Sequence, residues 1–291
     1  MSDFRHILFP VDFSERSKQF RDLVQFVACQ FQARLTLLHV VPVLSGGEYG
    51  DLAGVFPSME DFTAVEEQMS GLLNDFFPGK VQGVPEIKRE VSLGDPAVVI
   101  ADYATNHQVD LIMMPTHGYG RFRSLLMGSV ASKVLHDANC PVWTAAHGDG
   151  SDGVSHKDVQ NIVAGVDLAE GQIDVVGAAS DLGRKFNAPV TLVHAIPAAE
   201  HVAGDTGGDE FGRFLIHAAK EHIERLQSAA GTKFEARVEP GGVAKAIRSV
   251  ALEKNADLVI IGRGVAQAPF GRLRSKAYEI IRESPCPVLS L

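Results

Sequence analysis

The sequence predicts an α/β protein made of two copies of one parallel-sheet domain, and three observations predict it. The chain repeats itself: His6-Ile7-Leu8-Phe9-Pro10-Val11-Asp12 returns as Asn161-Ile162-Val163-Ala164-Gly165-Val166-Asp167, a shift of 155 residues. Leu35-Thr36-Leu37-Leu38-His39-Val40-Val41-Pro42 returns at that same shift as Val190-Thr191-Leu192-Val193-His194-Ala195-Ile196-Pro197. Asp110-Leu111-Ile112-Met113-Met114 returns as Asp257-Leu258-Val259-Ile260-Ile261 after 147 residues, and Cys140-Pro141-Val142 as Cys286-Pro287-Val288 after 146. So long a period is a duplicated domain, not a solenoid repeat. Short β-branched runs also alternate with helical patterns in both halves, the signature of βαβ units. Those runs are nearly continuous in Ile, Leu, Val and Met, as expected when helices cover both faces of a parallel sheet.

Composition agrees with this plan. A chain of 291 residues, 45% hydrophobic and 22% charged, fits two globular domains of ordinary size, each able to bury its own core. The formal charge of −9 argues against non-specific nucleic-acid binding, which rests on Lys and Arg neutralising phosphates. No apolar run approaches the roughly 18 residues of a membrane span. Met1-Ser2-Asp3-Phe4-Arg5-His6 runs straight into a strand, so no signal peptide is expected. Three cysteines make no disulfide framework, and Cys140 and Cys286 are expected to pack as small buried hydrophobes. These points suggest a reducing cytoplasm.

Taken in order, the first half reads as five strands near 6–11, 35–41, 86–92, 110–114 and 141–145. The first helix, Glu15 to Phe31, carries Phe20, Leu23, Val24, Val27 and Phe31 as one apolar stripe, with Ser14 as its cap. The second, about 59–77, places Phe62, Val65, Met69, Leu72 and Phe76 on one face. Asp95-Pro96 opens the third, since Pro suits the first helical position. A last helix follows Gly128-Ser129 and stops before Cys140-Pro141. The second half repeats the plan, with strands near 160–166, 190–195, 233–239, 257–261 and 287–291. Its second helix, about 209–229, carries Phe211, Leu215, Ala218, His222 and Leu226 at helical spacing, His222 reading as a core or boundary histidine. Residues 1–147 and 158–291 are the two domains, joined by a Gly/Ser/Asp-rich linker at 148–157 that lacks EF-hand spacing. Ser45 to Pro57 reads as a surface loop or a lid.

In an open parallel sheet, ligands bind beyond the carboxyl ends of the strands where strand order reverses. An order of 3-2-1-4-5 puts that point between strands one and four. Strand one ends Pro10-Val11-Asp12. Asp12 could accept hydrogen bonds from an adenine amino group or a ribose hydroxyl, or it could cap the first helix. Strand four ends Met114-Pro115-Thr116-His117-Gly118. Gly118 lets main-chain N–H groups approach a ligand, and Gly128-Ser129 opens a helix whose free N–H groups attract an anion. Arg121 and Arg123 add charge, and together the parts suit a triphosphate. An ordinary βα loop with a Ser cap and solvated arginines is the alternative.

These residues resemble the universal stress protein family. Its nucleotide signature is Gly, two residues, Gly, nine residues, Gly, then Ser or Thr. Gly118, the nine residues 119–127, Gly128 and Ser129 match it, with Pro115 in place of the first Gly. Asp12 and Leu38-His39-Val40 also match, and the resemblance covers both halves. It implies two Rossmann-like (adenine nucleotide alpha hydrolase-like) domains, each a five-stranded parallel sheet with helices on both faces. It further implies ATP, with ADP or AMP as alternatives, accompanied by Mg. Asp12 and the backbone at Val40 would hold adenine, with Pro10 lining that end. His117, Gly118, Gly128, Ser129 and Val130 would surround ribose and phosphates, with Met114 and Pro115 also in the nucleotide site. The resemblance also suggests pairing through the last strands, 141–145 with 287–291, as an internal pseudo-dimer, and a homodimer as a further option.

The second half departs from the signature. Gly262 matches the first Gly, but Val265 stands where the second belongs, and Ser275-Lys276 stands in place of Gly-Ser. A Cβ where backbone must approach phosphate weakens binding, so this half reads as a degenerate, mainly structural copy, with Gly241-Gly242 only a turn. No P-loop, complete dinucleotide fingerprint, nucleophile elbow or His-Glu-x-x-His motif occurs. His39 and His194 read as structural, because a metal needs more ligands. No general base is poised at a γ-phosphate, so hydrolysis, if any, is expected to be slow. The expected job is regulatory and stress-linked, acting on an unknown protein partner. An ATP-using enzyme, or an interaction protein in which Pro115 marks a lost site, are the alternatives.

Overall fold

The computed structural model describes residues 3–42, 59–77, 79–116, 127–145, 158–167, 173–196, 208–263 and 272–291. The linker and the 45–57 segment lie outside them. In the first half the strands are His6–Pro10 (β1), Arg34–Pro42 (β2), Ile87–Gly94 (β3), Leu111–Met114 (β4) and Val142–Thr144 (β5). Its helices are Glu15–Phe31 (α1), Met59–Phe76 (α2), Pro96–Asn106 (α3) and Ser129–Asp137 (α4). In the second half the strands are Ile162–Gly165 (β6), Val190–Ile196 (β7), Glu235–Pro240 (β8), Leu258–Ile261 (β9) and Val288–Ser290 (β10). Ile173–Phe186 (α5), Gly208–Ala230 (α6), Val243–Glu253 (α7) and Arg272–Glu283 (α8) are its helices.

The strands run in the order β3-β2-β1-β4 in the first unit and β10-β9-β6-β7-β8 in the second, with every described pairing parallel. Both faces of β1 and β4 are buried along their whole length, so these strands need cover on each side. Of the 3-2-1-4-5 order expected from sequence, 3-2-1-4 is present in both units, and the second also carries its fifth strand, β10, beside β9.

Local chemistry explains the helices. Ser14 caps α1 by accepting from Ser17 N at 3.2 Å. The expected stripe of Phe20, Leu23, Val24, Val27 and Phe31 is buried. Asp95 caps α3, its Oδ1 accepting from Ala97 N at 2.9 Å and Val98 N at 3.2 Å, with Pro96 in the first turn. The preceding Gly94 lies at φ +141°, and its counterpart Gly241 at φ +102°, a region that favours glycine. Gly241-Gly242 is therefore the same turn, but Gly242 gives α7 no side-chain cap.

Two helix faces differ from the sequence reading. Leu72 is 42% exposed, and α2 buries Leu73 in its place, while Phe76 is buried as expected. Phe211 is 54% exposed, and α6 buries Ala219, Ile223 and Gln227, a face one residue round from the expected stripe. Buried Gln227 shows why. Its Nε2 donates to Phe234 O at 3.3 Å and its Oε1 accepts from Phe234 N, tying α6 to the chain entering β8. A polar residue that satisfies itself by capping backbone can turn inward, and apolar periodicity does not see it.

Among the described residues, 3–116 and 128–142 form one compact unit, and residue 127 with 143–291 forms the other. Trp143 and Thr144 thus group with the second unit. There the Trp143 ring packs edge-on to Phe186 at 6.5 Å, and Thr144 Oγ1 donates to Val288 O at 3.3 Å. Cys286 is buried as expected, and burial pushes its thiol up to about 12. Cys140 is half-buried.

Candidate functional site

Strands β1 and β4 lie side by side, β2 flanks β1, and their carboxyl ends carry the candidate residues. Val11 N donates to Leu38 O at 2.9 Å, continuing the β1–β2 ladder one residue past β1. His39 Nδ1 donates to Val11 O at 2.7 Å. A carbonyl only accepts, so Nδ1 carries the proton in the neutral ring. In the second unit Val166 N donates to Val193 O at 2.9 Å, and His194 Nδ1 to Val166 O at 2.9 Å. The paired histidines are braces on the peptide before the strand-end aspartate, the structural role expected of them.

Asp12 follows that braced peptide. Phe13 lies at φ +61°, an unusual left-handed conformation for a bulky residue. Its ring rests 4.7 Å from His39 and 5.9 Å from Phe76, which hold it there. The turn brings Ser14 back onto the carboxylate. Asp12 Oδ1 accepts from Ser14 N at 3.0 Å, from Ser14 Oγ at 2.7 Å, and from Ser17 Oγ in a short contact. Among the described residues, every hydrogen bond to Asp12 falls on Oδ1. Asp12 is therefore not the helix cap. Ser14 is the cap, and Asp12 uses one oxygen to hold it while Oδ2 takes no bond from these residues. Sequence reading missed both serines as partners of Asp12; the Asp-x-Ser-x-x-Ser spacing was the available signal.

At the end of β4, Met114 and Pro115 are buried and Thr116 is 1% exposed. Thr116 O accepts from Gly128 N at 2.9 Å, so the two ends of the intervening segment meet. His117, Gly118, Arg121 and Arg123 lie in that segment, outside the described residues. Gly128 is the N-cap of α4 and makes no side-chain cap bond. Ser129 is exposed and is the first helical residue, not a cap. Among the described residues, the opening N–H groups of α4 thus receive no side-chain cap, where α1 and α3 have one, and such a helix end attracts anions. Pro10 and Val40 are buried at the strand ends, and Val130 is half-buried beside Ser129. Lys133 Nζ donates to Asp95 Oδ2 at 3.1 Å, joining α4 to the cap of α3. The Lys133 ammonium and the Val98 and Ala97 amides hold the Asp95 carboxyl below its usual range.

The second unit differs at the matching points. Asp167 is exposed. Gly165 replaces Pro10, and a Cβ there would come within 2.7 Å of Ile247 Cδ1. Arg263 replaces Thr116, and its Nε donates to Leu291 O at 3.3 Å. Residues 264–271 lie outside the described residues. Among the described residues no group of three His, Cys, Asp or Glu side chains could hold a metal, and no helix is long and apolar enough to cross a membrane.

A duplicated α/β domain, with strands ordered 3-2-1-4 and an acidic residue and a bare helix end at its strand tips, defines a Rossmann-like class of protein. The chain belongs to the universal stress protein family, whose model matches residues 3–145 and 158–291. It is similar to universal stress protein A homolog 1 of Coxiella burnetii, 30% identical over 142 residues that make up 48% of this chain and 94% of that protein. It shares its fold with a universal stress protein of Archaeoglobus fulgidus, 23% identical with a TM-score of 0.69, over 98% of this chain and 95% of that one. A second structure from Archaeoglobus fulgidus, a universal stress protein in complex with dAMP, matches 45% of this chain and 96% of its own, 23% identical with a TM-score of 0.34.

Proposed function

We propose that the first domain binds an adenine nucleotide, ATP foremost, and that occupancy regulates a partner in a cytoplasmic stress response. One observation carries the reading. The strand tips pair an acceptor, Asp12 Oδ2, with a donor array, the uncapped N-terminus of α4 behind Gly128. A nucleotide has the complementary ends: amino and hydroxyl donors on the nucleoside, anionic oxygens on the tail. Asp12, Pro10 and the backbone at Val40 would take the adenine end. Met114, Pro115, His117, Gly118, Gly128, Ser129 and Val130 would enclose ribose and phosphates. Mg would be held through the phosphates. Binding shifts a conformational equilibrium only by its differential affinity for the two states, so the regulated partner must distinguish loaded from empty protein. Residues 158–291 are a mainly structural copy.

The test is to denature the purified full chain and identify any released small molecule by mass, then to follow thermal unfolding with Mg-ATP. At about 100 times its Kd, a ligand adds about 2.7 kcal/mol. An adenine nucleotide released, or a shift of that size, is the expected result. Neither a released nucleotide nor a shift at millimolar Mg-ATP overturns the reading and favours an interaction protein that binds no nucleotide. Steady production of ADP, or of AMP and pyrophosphate, would make the protein an ATP-using enzyme instead.

A further inference from the structure

We infer that Ser17, together with the cap residue Ser14, is a positioning residue that aims Asp12 at the bound ligand, a step that rests on the nucleotide reading above. Ser17 lies three residues before Phe20 on the core-facing stripe of α1 and is fully buried. Every other member of that stripe is apolar, so a hydroxyl occupies a position where a methyl or isopropyl group would pack. A buried hydroxyl needs a partner, and Ser17 Oγ donates to Asp12 Oδ1, with Ser14 Oγ 3.5 Å away. Ser14 adds a hydroxyl at 2.7 Å and a main-chain amide at 3.0 Å to the same oxygen. Three donors on one carboxylate oxygen fix the rotation of the group about its own axis. They also fill the acceptor capacity of that oxygen, so a ligand donor is directed to Oδ2.

The second copy shows what the device is for. Where the first reads Asp12-Phe13-Ser14-Glu15-Arg16-Ser17, the second reads Asp167-Leu168-Ala169-Glu170-Gly171-Gln172. The aspartate stays, and both hydroxyls that orient it are gone. The same copy has lost the Gly-Ser pair that opens α4. The His39 brace, by contrast, is kept as His194 on the same carbonyl. Both serines are thus lost in the same copy that lost the Gly-Ser helix opening, while the brace persists.

The experiment is a double-mutant cycle on the full chain, with ATP affinity read by titration calorimetry and stability by thermal unfolding. Ser17→Ala should weaken ATP binding about fivefold to tenfold, the worth of one ordinary hydrogen bond. In an Asp12→Ala background the same change should leave the residual affinity within about twofold, because there is no carboxylate left to aim. Ser17→Cys, which keeps the volume and a weak donor, should fall between wild type and Ser17→Ala, and it serves as the variant if the alanine form does not fold. Wild-type affinity in folded Ser17→Ala, or an equal loss with and without Asp12, overturns the inference while leaving the nucleotide reading intact. Absence of ATP binding by the unaltered chain overturns both.

Discussion

At the start of β1, Asp110 Oδ2 accepts from Arg5 N at 2.9 Å and His6 N at 2.8 Å; at the start of β6, Asp257 Oδ2 accepts from Gln160 N at 2.9 Å and Asn161 N at 3.0 Å. The two domains are the same machine at this end of the sheet. At the other end they part. Ser14 and Ser17 face Ala169 and Gln172 across the repeat, Gly128-Ser129 faces Ser275-Lys276, and the side-chain cap Asp95 faces the bare Gly242. The carboxylate clamps at the strand starts and the histidine braces have persisted in both copies. Two side-chain helix caps and the Gly-Ser helix opening have changed in one. A duplicated fold thus separates what holds the sheet together from what the sheet holds.

The comparison breaks first if the shared end is not shared in energy. Asp110→Ala and Asp257→Ala each strand two backbone N–H groups that now bond a carboxylate. Each should cost its own domain about 3 kcal/mol, measured by denaturant unfolding. A large cost in one domain and none in the other would show that the two clamps are not equivalent.

Next comes the divergent end. Gly118→Val gives the first copy the residue that Val265 represents in the second. It should remove the nucleotide-induced stabilisation of about 2.7 kcal/mol expected at about 100 times Kd, with little change in the unliganded melting temperature. Retention of the full shift would dissolve the proposed distinction between the domains.

A smaller difference is set by pH. Buried His6 shares a hydrogen bond of 2.9 Å with Thr36 Oγ1 through Nε2 and accepts from Arg34 at 3.0 Å through Nδ1, with His107 O and Asp110 nearby. Burial, and then the Arg34 guanidinium, lower its pKa from the ordinary 6.5. Below that value the unfolded chain takes up a proton that the folded chain refuses. Stability from this group is complete above 6.5, declines as pH falls from there to the folded value, and changes no further below it. The slope is at most about 1.4 kcal/mol per pH unit, one proton's worth. His6→Asn, which copies Asn161, should flatten it in unfolding curves taken from pH 7.5 downward. An unaltered slope would assign the effect to another group.

The smallest effect is at the caps. Gly242 has extended backbone angles, φ −67° and ψ 143°, and a Cβ there meets nothing within 4 Å. Gly242→Asp should therefore install the cap that Asp95 provides in the first copy and raise the second domain's stability by about 0.5 kcal/mol. A loss of stability would mean the turn after Gly241 differs from the turn after Gly94.

Much of this was legible in the residues. The duplication, all ten strands, the α1 stripe and the Asp95-Pro96 helix start follow from patterns local in sequence, and local patterns act through propensity and period. The faces of α2 and α6 did not follow, because both helices carry apolar residues on more than one side. Leu72 and Leu73 are equally hydrophobic, and only the position of the sheet chose Leu73 for the core. Gln227 was unreadable for a related reason: its burial depends on a backbone amide and carbonyl at Phe234 that no pattern within the helix announces.

The site divides in the same way. The amino-acid sequence by itself determined which residue types stand at the strand ends, Asp12 after β1 and Gly128-Ser129 before α4, because strand and helix boundaries are short-range events. It could not decide whether Asp12 caps the first helix. The tertiary structure decided that Ser14 is the cap and that Asp12 holds it. The left-handed turn at Phe13, pinned by His39 and Phe76 from two other elements, folds Ser14 and Ser17 onto one carboxylate oxygen and leaves the other outside that grip. Hydrogen bonding is directional, and direction is set by three-dimensional placement, which periodicity along a chain does not encode.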